Sequence, residues 1–117
     1  MDDTRDTPAD GSAMDLVFRA LADPTRRAIL DGLRAGPRTT TQLVDAIGTM
    51  SRFGIMKHLN VLEEAHLIIV KHHGRERHNH LNAVPLRMIY ERWVSAYEDH
   101  WAGSLTRLKS LAESETP

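Results

Sequence analysis

The sequence predicts a mainly α-helical domain carrying one small β-hairpin, with four helices before the hairpin and one after it. Three observations predict it. Apolar residues recur at steps of three and four from Leu16 to Leu62 and again from Leu86 to Leu111, the spacing of one helix face. Cap and breaker residues cut the first stretch into four pieces. Between the two stretches, Leu67-Ile68-Ile69-Val70 is short, largely β-branched and bounded by Gly74, as a strand is.

The elements follow in order. Residues 1–13 are polar and acidic and nearly free of large apolar groups, so a disordered tail is expected there. Leu16, Val17, Ala20 and Leu21 mark a first helix from Met14 to Ala22. Asp23-Pro24 suits an N-cap followed by the first helical position, and a second helix runs through Ile29, Leu30 and Leu33 to Gly36-Pro37. Thr39-Thr40-Thr41 offers the next cap. The third helix carries Leu43, Val44 and Ile47 and ends at Gly48. Ser51 caps a fourth, bearing Ile55, Leu59 and Leu62, to about Ala65. Gly74-Arg75 turns the hairpin, and 76–82 returns. A last helix bears Leu86, Ile89, Tyr90, Trp93, Val94, Tyr97, Trp101, Leu105, Leu108 and Leu111. Some 26 residues of helix are about 39 Å long, more apolar face than so small a domain covers by itself. Residues 14–111 thus form the folded domain, and 112–117 a second disordered tail.

The chain has 117 residues and no cysteine, which excludes disulfides, thiolate metal sites and thiol redox chemistry. No apolar run spans a bilayer, and the acidic start has no signal-peptide pattern, so no membrane association and a cytoplasmic location are expected. The net charge of -1 conceals an uneven distribution. Residues 1–18 hold one arginine and five aspartates, whereas 19–77 hold ten Lys or Arg against six Asp or Glu. The middle of the chain is the candidate anion-binding region.

The third and fourth helices are joined by only three or four residues that include Gly48. This is helix-turn-helix spacing, in which the second helix enters the major groove of DNA and the hairpin behind it forms a wing. Phe18-Arg19-Ala20-Leu21-Ala22-Asp23-Pro24-Thr25-Arg26-Arg27-Ala28-Ile29-Leu30 resembles the start of the second helix in the ArsR/SmtB repressors. Met56-Lys57-His58-Leu59-Asn60-Val61-Leu62-Glu63-Glu64-Ala65 resembles the end of their recognition helix, and Leu67 to Arg75 their wing. The resemblance covers residues 14–111. It implies a winged-helix dimer built from the first and last helices, and a repressor that blocks a promoter, often its own.

Roles follow for individual residues. Arg52, in the first turn of the recognition helix, suits a bidentate contact with guanine, and Met56 a thymine methyl. Lys57 and His58 suit phosphate. Thr39, Thr40, Thr41 and Gln42 open the preceding helix, where N–H groups and hydroxyls can hold another phosphate. Lys71, Arg75 and Arg77 on the wing reach phosphates or the minor groove. Ser51 matches the usual family residue, while Phe53-Gly54 replaces a common Pro-Ala and Met56 a common Ser; Phe53 either packs on the scaffold or presses against DNA. Leu16, Val17, Leu21, Trp93, Tyr97, Trp101, Leu105 and Leu108 are the expected dimer interface.

Many proteins of that family sense metals, but Leu43-Val44-Asp45 stands where their thiolate pair would be, and Asp99-His100 does not reproduce their carboxylate–histidine array. His72, His73, His78 and His80 form the remaining cluster, with His78 and His80 on one strand face. No metal and no cofactor are expected. The partners expected are double-stranded DNA and a second copy, with an unidentified effector as a further possibility. A metal- or ligand-gated sensor of the same architecture is the alternative, with the Trp93, Tyr97 and Trp101 region as its pocket. A winged helix that binds only protein fits poorly with Arg52, Lys57, Lys71, Arg75 and Arg77. No phosphate-binding glycine loop, HExxH or nucleophile elbow supports an enzyme.

Overall fold

The computed structural model describes residues 10–114. It contains α1 (Asp10–Leu21), α2 (Pro24–Leu33), β1 (Arg38–Thr39), α3 (Thr40–Ile47), α4 (Arg52–Glu64), β2 (Ile68–His73), β3 (Glu76–Leu81), α5 (Val84–Ile89), a π-helical turn (Tyr90–Val94) and α6 (Ser95–Ser114). The chain divides into two compact units after Pro85.

In the first unit, local chemistry sets the boundaries that the sequence announces. Asp23 accepts the backbone N–H of Arg26 at 3.0 Å and caps α2, with Pro24 in its first turn. That hydrogen bond, helped by the nearby His58 and Arg26 side chains, holds the Asp23 carboxyl below the usual carboxylate range against a smaller opposing effect of burial. Thr39 and Gln42 cap α3 reciprocally, Thr39 N–H donating to Gln42 Oε1 at 2.8 Å and Gln42 N–H to Thr39 Oγ1 at 3.1 Å. Gly48 closes α3 in the left-handed conformation at φ 71°.

The apolar faces of these helices meet in one core. Ile29, Leu33, Leu43, Ile55, Leu59 and Leu62 are all fully buried, together with Leu67 just before β2 and Ile68 at its start. Each such side chain contributes roughly 1.5–3 kcal/mol by leaving water. The sheet has three strands in the order β1-β3-β2, all antiparallel. Asn79 stands at its centre, opposite Arg38 of β1 and Val70 of β2.

The end of α4 is closed by a Schellman motif. Leu67 N–H donates to Leu62 O and His66 N–H to Glu63 O, both at 2.9 Å. His66 occupies the left-handed position at φ 61°, which suits glycine far better than an L side chain. His66→Gly is therefore expected to stabilise the domain by about 0.5–1 kcal/mol, the strain relieved exceeding the entropy that glycine adds to the unfolded chain. A thermal unfolding midpoint equal to or below that of the parent chain would contradict this.

The second unit is helical, and none of its described residues is buried. The sequence predicts one regular helix here. Instead Ser95 N–H reaches back to Tyr90 O across a π-helical turn, and Tyr90 Oη donates to Glu98 about two turns further on. That hydrogen bond to a carboxylate raises the Tyr90 pKa.

Further expectations need correction. Residues 10–13, read as part of a disordered tail, form the first turn of α1, and 112–114 the end of α6. Adding a turn to an existing helix costs far less than starting one, and the periodicity count begins only where apolar residues do. The remainder of both tails, 1–9 and 115–117, lies outside the described residues. Strand β1 was not expected. Val17, assigned to a subunit interface, is buried within the single chain, while Leu16, Leu21 and Trp93 are half-buried. Helix α1 packs on α2 and α4, and Val17 lies on its inward side.

Candidate nucleic-acid interface

Helices α3 and α4 are linked by residues 48–51 and pack against each other. Ser51 caps α4 by accepting Gly54 N–H at 3.1 Å. Ile55, Leu59 and Leu62 fix which side of α4 faces the core. At about 100° per residue, Phe53, Lys57 and Asn60 then fall on the opposite side, and all three are exposed. Met56 lies at the border of that side and is half-buried. Neither α3 nor α4 has an acidic residue in its first turn, so no carboxylate offsets the positive end of either helix dipole.

Arg52 leans sideways across the turn, its guanidinium donating to Thr41 Oγ1 of α3 at 2.9 Å. Phe53 projects outward with 71% of its surface exposed, so it does not pack on the scaffold. The Lys57 ammonium rests 4.9 Å from its ring centroid, a cation–π contact one helical turn apart. Gly54 has a packing reason that its helix propensity conceals. A Cβ there would lie 2.6 Å from Met50 Cγ, so the glycine leaves room for Met50 to fold over the start of α4.

Other expected contacts are engaged elsewhere. Thr40 is buried and its Oγ1 accepts from Asn79 Nδ2 at 3.2 Å, so it cannot hold a phosphate. Gln42 is exposed, but its amide oxygen closes the α3 cap. His58 is turned inward, its side chain only 18% exposed, with Nδ1 3.3 Å from the Arg26 guanidinium and 3.8 Å from Asp23. The same arginine donates to the carbonyls of Ala20 and Arg19 at the end of α1, which makes Arg26 and His58 a structural brace between α1, α2 and α4.

On the wing, Lys71 and Arg75 are exposed, as expected of groups that reach DNA. Arg77 is not at their disposal. Its side chain is 16% exposed and lies between Glu63 of α4, at 3.5 Å, and Asn79 Oδ1, at 3.2 Å. Asn79, which sequence reasoning missed, is fully buried and organises this region. Besides Thr40 it donates to the Arg38 carbonyl at 3.2 Å. A polar residue at the inward position of an alternating strand was its only signal.

His73, His78 and His80 share one face of the hairpin, and His72 lies on the other. His78 and His73 meet edge to face at 4.5 Å, His78 Nε2 lies 3.5 Å from Glu76, and His80 Nε2 is buried with no hydrogen-bond partner among the described residues. No three His, Asp or Glu side chains among the described residues converge on one point as metal ligands would.

Comparison with known proteins places this geometry. A model of a helix-turn-helix domain matches residues 21–71, from the end of α1 into the wing. The helix-turn-helix-type transcriptional regulator YuzN of Bacillus subtilis is 37% identical over 86 residues, 68% of this chain and 94% of the relative. An ArsR-like transcriptional regulator from Rhodococcus sp. RHA1, of known structure, is 30% identical, covers 89% of this chain and 94% of its own, and superposes with a TM-score of 0.67. The chain belongs to the ArsR family. It is a DNA-binding transcriptional regulator with a winged helix-turn-helix, and not an enzyme. The transcriptional repressor SdpR of Bacillus subtilis is a further relative, 36% identical over 63% of this chain and 81% of the relative. As an ArsR-family regulator the chain carries its helix-turn-helix within the first unit alone, and no helix among its described residues is long and apolar enough to cross a membrane.

Proposed function

We propose that this regulator represses transcription by seating two copies on a two-fold-symmetric duplex site in a promoter, with α4 of each copy in the major groove and each hairpin on the flanking backbone. The observation that carries the reading is the outer side of α4 together with the wing. Phe53 and Lys57 are exposed there, Arg52 is exposed at the start of the same helix, Lys71 and Arg75 are exposed on the hairpin, and no acidic residue stands in the first turn of α3 or α4. Arg52 is the candidate for reading guanine, Lys57, Lys71 and Arg75 for phosphate contact, and Thr41 and Ser51 for support at the helix starts. Repression accords with the relative SdpR, a repressor by name.

Two copies are inferred from the second unit. Tyr97, Trp101, Leu105, Leu108 and Leu111 are each exposed by about three-fifths, at helical steps of three and four. Burying each of them stabilises an assembly by roughly 1.5–3 kcal/mol before association costs, and two-fold homodimers are the commonest way to bury such a stripe. Two identical half-sites about 34 Å apart then match the two α4 helices.

Fluorescence anisotropy on duplexes from the region upstream of the chain's own gene tests this. With three phosphate-binding side chains per copy, log affinity against log salt should fall with a slope of about −5. Arg52→Ala is expected to cost about tenfold to a hundredfold on the preferred site and to relax the preference at one base pair per half-site. Arg75→Ala should weaken all duplexes alike and reduce the slope by about 2. Equal loss of all sequences on Arg52→Ala would remove that residue from base recognition.

A further inference from the structure

We propose that Phe53 is a specificity-determining residue that reads the 5-methyl group of a thymine in each half-site. The inference rests on the reading that α4 enters the major groove. Phe53 is the most exposed of the large apolar side chains in the described residues, and it stands in the first turn of α4, the part of a recognition helix that meets base edges. It lies on the side of α4 opposite Ile55, Leu59 and Leu62, so no rearrangement within the domain short of turning the helix buries it. Lys57 sits over one face of the ring. The ring's remaining surface points away from the protein.

The character of the partner follows from the neighbours. Phe53 is flanked by the cations Arg52 and Lys57 and by no carboxylate in that turn. An apolar protein surface would have to bury both charges beside the ring, whereas a duplex supplies phosphates for Lys57 and a base edge for Arg52. Inside a major groove the one apolar group that the four bases present is the thymine methyl. Met50, folded over the start of α4 into the space left by Gly54, extends the apolar surface at the same end of the helix. Arg52 and Phe53 are adjacent, so the thymine is expected next to the guanine that Arg52 reads, or one base pair removed from it.

The test selects duplexes from a randomised library with the full chain and with Phe53→Ala. The parent chain is expected to enrich a thymine at one fixed position of each half-site, and Phe53→Ala to lose that enrichment while keeping the guanine. Replacing the selected thymine by deoxyuridine removes only the methyl group. It should weaken the parent chain by about fourfold per half-site, leave Phe53→Ala unaffected, and still weaken Phe53→Leu, whose side chain remains apolar. Equal affinity of the parent chain for the thymine and deoxyuridine duplexes, or an equal loss in Phe53→Ala, overturns the proposal while leaving DNA binding intact. Failure of the parent chain to enrich any sequence overturns the groove placement of α4 and this proposal with it. Because Phe53 packs on no core residue, folding of the alanine variant is expected to be unchanged, and far-UV circular dichroism checks it.

Discussion

Replacing Trp101 and Leu105 together by aspartate is expected to leave a folded monomer whose affinity for a two-half-site duplex is reduced by about a hundredfold or more. In the single chain these side chains are 62% and 60% exposed, so the substitutions remove little packing from the protomer itself. In a dimer joined along α6 they would bury four carboxylates without counter-ions, each costing several kcal/mol. Loss of the dimer then turns one bivalent attachment to DNA into two independent ones, and linkage of two sites is commonly worth 10²–10⁴ in affinity. Sedimentation equilibrium at micromolar concentration, with anisotropy on the same sample, reads both effects. A double variant that still sediments as a dimer would show that the exposed stripe of α6 is not where two copies join.

Asn79→Ala is expected to lower stability by about 3 kcal/mol and the thermal midpoint by more than 10 °C. The Asn79 amide is fully buried and serves three elements at once, donating to the Arg38 carbonyl and Thr40 Oγ1 and accepting from Arg77 Nε. Alanine removes these hydrogen bonds and opens a void, leaving the Thr40 hydroxyl and Arg38 carbonyl without the donor they face. It also releases Arg77, which ties the wing to Glu63 near the end of α4. Affinity for DNA should therefore fall along with stability, because the hairpin and the recognition helix lose a shared anchor. A midpoint within two or three degrees of the parent protein would show that water or a neighbouring side chain replaces the amide.

The sequence revealed whatever local chemistry decides. Asp23 before Pro24, Thr39 with Gln42, left-handed Gly48 and Ser51 each act within three or four residues of the boundary they set, so the four helices and the turn between α3 and α4 were legible. The hairpin was legible for the same reason. The two-residue strand β1 was not, since Arg38 and Thr39 are strand only by pairing with Asn79 and His78 some forty positions away. The site divided along the same line. Arg52, Lys57, Lys71 and Arg75 are exposed where helical or strand spacing puts them. Thr40, His58 and Arg77 were misread because Asn79, Arg26 and Glu63 draw them inward, and those partners lie 14 to 39 residues away. The π-helical turn at Tyr90–Val94 also escaped, since apolar steps of three and four do not distinguish a regular helix from one that carries an extra residue in a turn.

The hydrogen bond from Arg52 to Thr41 has a thermodynamic consequence. A long, flexible side chain usually surrenders its rotational freedom when it docks, at about 0.5–1.5 kcal/mol. Here part of that disorder is already lost in the free protein, because a hydroxyl on the neighbouring helix holds the guanidinium in place. For the proposed guanine contact, part of the entropic penalty thus falls on folding instead of on association.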